Sequence, residues 1–391
     1  MRWHGVHYKT GEAFEIVVEG RQVRVQATGT RQELGDGGPR PGERFLAPGL
    51  IDLQLNGFAG VDLNQPDELT QEGIAKVVAA QRALGVTHFL PTVTTNSAEH
   101  IAKAMRLLAH ARQDPDLGAS MPGIHLEGPY FSPEDGPRGA HPREHVRPPD
   151  WDEFQRWQEA AEGGIRLVTL SPEYPESPDF IRRLVNSGVA AAIGHTGASP
   201  EQIRQAIDAG ATLSTHLGNG SHALIRRHPN YIWEQMAADE LHATLIVDGH
   251  HLPPSVVKCM VRSKEPQRVI LISDAVSVAG LPPGRYRTLT AEVELTTDGA
   301  VRLAGTPYLA GAALELPQAI VNTSAWAGVP FATAVEMASL HPARYLAQHA
   351  GTTVRVGFDG DAPSFTLFER TPSGLRALLT VVDGIAVYQA E

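Results

Sequence analysis

A chain of 391 residues with 42% hydrophobic and 20% charged residues has an ordinary globular composition, with room for a large domain and a smaller companion. The net charge of −11 disfavours a phosphate-neutralising surface, so nucleic acid is not an expected partner. One cysteine, Cys259, excludes an intrachain disulfide and a thiolate metal cage; any metal must be held by imidazoles and carboxylates. The first residues have no charged-then-apolar leader pattern and no apolar run is long enough to span a membrane, so the cytoplasm is the expected compartment.

The first 47 residues read as β. Segments 14–19 and 22–25 alternate with a period near two and meet at Gly20, and a Gly/Pro cluster over 35–42 ends the region. The far end is β as well: 364–368, 378–382 and 385–388, the last two joined by the hairpin signal Asp383-Gly384. Neither end carries a core of its own. The expectation is one small β domain built from residues 1–47 and 352–391, with residues 48–351 inserted between them.

That insert repeats strand, loop and helix. Expected strands are 50–55, 87–91, 123–127, 165–170, 189–193, 211–215, 243–247 and 268–273. Helical patterns lie between them, among them 70–84, 97–111, 178–186 and 200–209, with Ser97 and the Ser199-Pro200 pair as start signals. Eight such units predict a (β/α)₈ barrel. A doubly wound sheet is the rival, but Asn56-Gly57-Phe58-Ala59-Gly60 after the first strand fits neither common phosphate-binding loop.

In such a barrel, chemistry sits where strands end. Asp52, Gln54 and Asn56 close the first strand, Glu127 the third, His195 the fifth and His216 the sixth. Asp248-Gly249-His250-His251 follows the seventh and Asp274 the eighth. Glu127, His195 and His216 form a two-histidine, one-carboxylate set, the composition of an open catalytic metal site. Asp274 is then the natural general base. Taken singly, each histidine could equally be a hydrogen-bonded strand end; their matched positions favour a joint site. His141 and the Arg226-Arg227 pair lie in loops and are weaker candidates.

In order, His125-Leu126-Glu127-Gly128-Pro129, Gly194-His195-Thr196, Thr215-His216-Leu217, Asp248 to His251, Ser273-Asp274-Ala275 and Leu303-Ala304-Gly305 resemble the amidohydrolase superfamily. Within it they resemble the N-acetylglucosamine-6-phosphate deacetylase branch. The resemblance implies a (β/α)₈ barrel flanked by a small β-sandwich made from both termini, and a homodimer that hydrolyses the N-acetyl group of that phosphorylated amino sugar. It implies one divalent ion per subunit, zinc before iron or manganese, on Glu127, His195 and His216, with Asp274 as acid/base. It implies that His141, beside Ala140, holds the acetyl carbonyl. Asn219, Gly220, Arg227 and His251 would line the sugar-phosphate pocket, with Leu303, Ala304 and Gly305 closing over it. Many superfamily members carry His-x-His after the first strand; Gln54-Leu55-Asn56 here implies a single metal. The branch usually follows the sixth-strand histidine with Leu, an aromatic, Asn, Ala and Met. Leu217-Gly218-Asn219-Gly220-Ser221-His222 departs from that, which leaves another N-acyl substrate, an unphosphorylated N-acetyl sugar or an N-acyl amino acid, as the alternative.

Overall fold

The computed structural model describes residues 1–288, 291–358, 360 and 362–391. Eight parallel strands run in sequence order around its centre: Leu50–Leu55, Val86–Thr94, Ile124–Glu127, Ile165–Leu170, Ala190–Ile193, Leu213–Ser214, His242–Leu245 and Val269–Leu271. A parallel bridge between Leu55 and Ala275 brings the last beside the first, so the barrel nearly closes. The expected barrel is therefore present. The second strand runs on to Thr94 and the sixth shrinks to two residues.

Most of these strands are buried on both faces, which is why they read as apolar runs rather than alternating ones. Leu50–Leu55 is buried throughout, Asp52 and Gln54 included, and side-chain alternation puts those two on one face. The helices start where their caps dictate. Thr70 accepts from Gly73 N and Ser97 from His100 N, and Ser199 forms a reciprocal capping box with Gln202 ahead of Pro200. Each such cap stabilises its helix by about 1 kcal/mol.

The two ends of the chain do combine. Arg2–His7, Glu12–Glu19, Gln22–Arg31 and Arg44–Pro48 join Phe365–Arg370, Leu375–Val382 and Ile385–Gln389 in one sheet. It closes on itself where Val6 and His7 pair with Phe45 and Leu46, so the two layers expected of a sandwich are continuous. Ile16, Leu46, Phe365, Leu367 and Val381 fill its interior. Thr366 Oγ1 donates to Gly85 O at 2.9 Å and Thr380 Oγ1 to Arg82 O at 2.7 Å. Gly85 precedes the second barrel strand, so the small sheet sits at the amino end of the barrel, away from the strand ends that carry the site.

One element was not foreseen. Between the eighth strand and helix Leu316–Ala327, Gly284–Arg287, Glu292–Leu295, Ala300–Leu303 and Leu309–Ala312 form an antiparallel sheet around Val278, Val293, Leu295 and Val301. Among the described residues, no helix is long and apolar enough to cross a membrane.

Candidate metal centre

Glu127 is the last residue of the third strand, and His195, His216 and Asp274 each lie two or three residues past the end of theirs. Those last three have φ of 51°, 31° and 49°. A left-handed backbone is costly for a residue with a Cβ, about 1–3 kcal/mol, and persists only where the surroundings impose it. Here three sharp turns direct three polar side chains towards one point. His216 Nε2 is 2.9 Å and His195 Nε2 3.4 Å from Glu127 Oε1. His141 Nε2 is 3.3 Å from His195 Nε2. Glu127, His141 and His195 offer ligand atoms all within 4.8 Å of one another, and His216 joins them through Glu127.

Gln54 and Asn56 serve the two carboxyls. Gln54 Nε2 donates to Glu127 Oε1 and to Asp274 Oδ1, both at 2.9 Å, and Asn56 Nδ2 donates to Asp274 Oδ1 at 2.7 Å. The backbone N–H of Asp274 donates to Gln54 O at 3.0 Å. The first strand therefore positions both the base candidate and the ligand candidate.

The His195 ring is fixed from behind. A carbonyl oxygen can only accept, so the 2.9 Å contact with Pro137 O makes Nδ1 the donor. In the neutral ring Nε2 is then a lone pair aimed at Glu127 Oε1, an arrangement that a shared proton or a cation resolves. That lone pair, the facing carboxylate and His216 are the donor types of a divalent-ion site, so the residues fit such an ion. Phe131 packs on both imidazoles, 4.4 Å from His195 and 4.7 Å from His141 between ring centroids. A Cβ at Gly220 would lie 2.6 Å from His195 Nδ1, and its φ is 56°, so only glycine serves there.

Burial and neighbouring charge separate the acids. Burial, then the charge of Glu127, raises Asp274 to about 7, against the pull of His216 and Asn56. Burial also works to raise Glu127, but the contacts with His195 and His216 outweigh it and hold it well below the usual carboxylate range. Burial and the charge of His195 push His141 down to about 3, so its ring is neutral near pH 7. One carboxyl ready to exchange protons beside one held ionised is the pattern of a base next to a ligand.

The remaining expected residues lie at varied distances. Asn219 is folded over the strand end, with both its N–H and Nδ2 donating to His216 O. His251 donates from Nδ1 to Asp248 Oδ2 at 2.6 Å, while Asp248 Oδ1 accepts from the backbone of His250 and His251. Ala140 and Arg227 are exposed, Ala140 directly before His141. Leu303, Ala304 and Gly305 lie at a hairpin whose hydrogen bonds stay within the added sheet, Leu303 N to Tyr308 O and Ala304 N to Glu292 O. Sequence reasoning missed the donor roles of Gln54 and Asn56, and missed Pro137 altogether.

The chain matches the amidohydrolase family model over residues 45–387. The chain belongs to the amidohydrolase family. Among curated relatives of this amidohydrolase, human N-acetylglucosamine-6-phosphate deacetylase is 34% identical over 361 residues, 90% of this chain and 85% of that protein. An N-acetylgalactosamine-6-phosphate deacetylase of Escherichia coli O157:H7 is 36% identical over 305 residues, 77% of this chain and 78% of that one. Among solved structures, a mutant N-acetyl-D-glucosamine-6-phosphate deacetylase of Mycobacterium smegmatis, in complex with N-acetyl-D-glucosamine-6-phosphate, superposes with a TM-score of 0.82 at 29% identity, covering 100% of this chain and 99% of that one.

Proposed function

We propose that this amidohydrolase hydrolyses the N-acetyl group of N-acetylglucosamine 6-phosphate, giving glucosamine 6-phosphate and acetate. The observation that carries the reaction type is the shared amide clamp: Gln54 holds Glu127 and Asp274 side by side within the histidine cluster. The human relative named for this activity supports the substrate.

One divalent ion per chain would be held by Glu127, His195 and His216, zinc before iron or manganese, all of which accept these donors. Gln54 and Asn56 supply amides where a second ion would need imidazoles. Such an ion, when bound, supplies Lewis-acid polarisation of the acetyl carbonyl and of the attacking water. Asp274 takes a proton from that water and returns it to the amine nitrogen as the carbon–nitrogen bond breaks; a carboxyl raised by burial above the usual carboxylate range is matched to accepting and giving back. His141, held neutral, offers its Nε2 hydrogen to the acetyl carbonyl oxygen. Ala140, Asn219, Gly220 and His251 line the sugar, Arg227 meets the phosphate with a planar guanidinium, and Leu303, Ala304 and Gly305 close over it. Residues 48–351 form the catalytic domain and 1–47 with 352–391 the small one, in a cytoplasmic homodimer.

The E. coli relative makes the 4-epimer, N-acetylgalactosamine 6-phosphate, the competing substrate. Acetate release from N-acetylglucosamine and N-acetylgalactosamine, each with and without 6-phosphate, tests the proposal. Fastest turnover of N-acetylglucosamine 6-phosphate is expected. Preference for N-acetylgalactosamine 6-phosphate, or for either unphosphorylated sugar, would overturn it.

A further inference from the structure

His222 lies in the loop after the sixth strand yet reaches the loop after the third. Its Nε2 is 2.9 Å from Glu134 Oε2, and its Nδ1 is 3.0 Å from the Tyr231 hydroxyl. The same hydroxyl accepts the His222 backbone N–H at 2.9 Å. One neutral tautomer satisfies all three bonds. Tyr231 Oη accepts from the backbone and donates to Nδ1, and Nε2–H donates to Glu134. Two glycines keep the space open: a Cβ at Gly136 would lie 2.9 Å from His222 Cα, and one at Gly197 would lie 2.9 Å from His222 Cε1.

What Glu134 anchors matters more than the bond itself. Arg138 N donates to Glu134 O at 3.0 Å, closing a turn with Pro137 inside it. Pro137 O is the acceptor that orients His195. Arg138 Nη1 donates to His141 O at 2.7 Å, so the same turn also carries His141. Residues 133–136 are exposed while Pro137 is buried, so the solvent-facing half of this turn has little packing to hold it in place.

We propose that His222 is a positioning residue: with Tyr231 and Glu134 it clasps the third-strand loop to the sixth-strand loop, keeping Pro137 and His141 against His195. The inference rests on the reading of this site as a divalent-ion site for its effect on metal, though not for the clasp itself. Removing a partner that directly orients a metal-binding histidine weakens metal binding about 10–100-fold. The clasp acts one contact further out, so a smaller effect follows.

Full-length protein loaded with zinc is challenged with a chelator, and amide hydrogen exchange over residues 134–141 is followed in the metal-free protein. His222→Ala and Glu134→Ala should each release zinc about threefold to tenfold faster, speed exchange in that turn but not in the barrel strands, and lower kcat by a similar factor with KM little changed. His222→Gln, whose amide nitrogen can stand in for Nε2, should restore all three, and the double variant should be no worse than either single one. Glu134 is exposed, so Glu134→Ala reports even if a His222 variant folds poorly. Unchanged exchange over 134–141 in Glu134→Ala overturns the clasp. Wild-type protein that binds no zinc overturns the metal reading instead, and the exchange data still judge the clasp.

Discussion

Asn56 donates a 2.7 Å hydrogen bond to Asp274 Oδ1, and of the forces on that carboxyl it is among those that favour the ionised form. Burial and the charge of Glu127 push the other way and win, to about 7. As the proposed base, Asp274 would act only unprotonated, so activity should fall as pH drops through its pKa, and a bound cation would draw that limb below 7. Asn56→Leu removes one donor and leaves Gln54. The acidic limb of kcat/KM is expected to move up by about one to two pH units, since a hydrogen bond to a charged group contributes about 1.5–3 kcal/mol. A pH–rate profile of the two proteins decides this; coincident limbs would take Asn56 out of the tuning.

Asp274→Asn keeps the shape and removes the proton acceptor. The expected loss in kcat is about 10²–10⁴-fold with the metal content unchanged. Loss of metal alongside activity would make Asp274 a ligand rather than the base.

Gly220→Ala puts a methyl group where His195 Nδ1 stands, 2.6 Å away, on a backbone with φ of 56°. Either the loop or the imidazole must shift, and the contact with Pro137 is the bond at risk. Metal bound per chain, measured by elemental analysis after dialysis, should fall below the wild-type value while thermal unfolding stays cooperative. Full metal retention would mean that the loop gives way and His195 does not.

Arg227, the proposed phosphate contact, is exposed. Arg227→Ala should raise KM for a 6-phosphorylated N-acetyl sugar by about one to two orders of magnitude and leave kcat nearly unchanged, because uniform binding is lost. An unchanged KM would favour an unphosphorylated N-acyl substrate.

His88 bears on stability rather than turnover. Burial, with the charge of Arg82, lowers it to about 3, and Nδ1 sits 2.9 Å from Thr87 Oγ1. Unfolded histidine titrates near about 6.5. Between the two values the unfolded chain holds a proton that the folded chain does not. Stability is therefore full above that range and falls as pH drops through it, by up to about 1.4 kcal/mol per pH unit. His88→Gln should flatten the decline of urea midpoints between neutral and mildly acidic pH.

The barrel was legible in the sequence because its strands are buried on both faces and end in titratable residues; Val189 to His195 is an apolar run closed by an imidazole. What holds those residues was harder to read. Gln54 and Asn56 read as missing metal ligands, since an amide's role as a donor to two carboxyls depends on strands far apart in sequence. The left-handed backbone at His195, His216 and Asp274 falls on residues other than glycine, which do not announce it in the sequence. The added sheet escaped notice because its strands are four residues long, and Gly284-Arg285-Tyr286-Arg287 has neither an apolar run nor a clear alternation. Glu134 and His222 lie in loops that follow different strands, and only the fold brings them together.

The ring of terminal strands has a consequence for how the chain is made. Gln22–Arg31 finds its second neighbour in Ile385–Gln389, and Arg44–Pro48 finds one of its own in Phe365–Arg370. During synthesis the early strands must wait, with open hydrogen-bonding edges, until more than three hundred further residues have left the ribosome. The barrel can form in that interval while its base remains unfinished. Exposure to edge-to-edge aggregation thus lasts until the three late strands, Phe365–Arg370, Leu375–Val382 and Ile385–Gln389, reach the waiting edges.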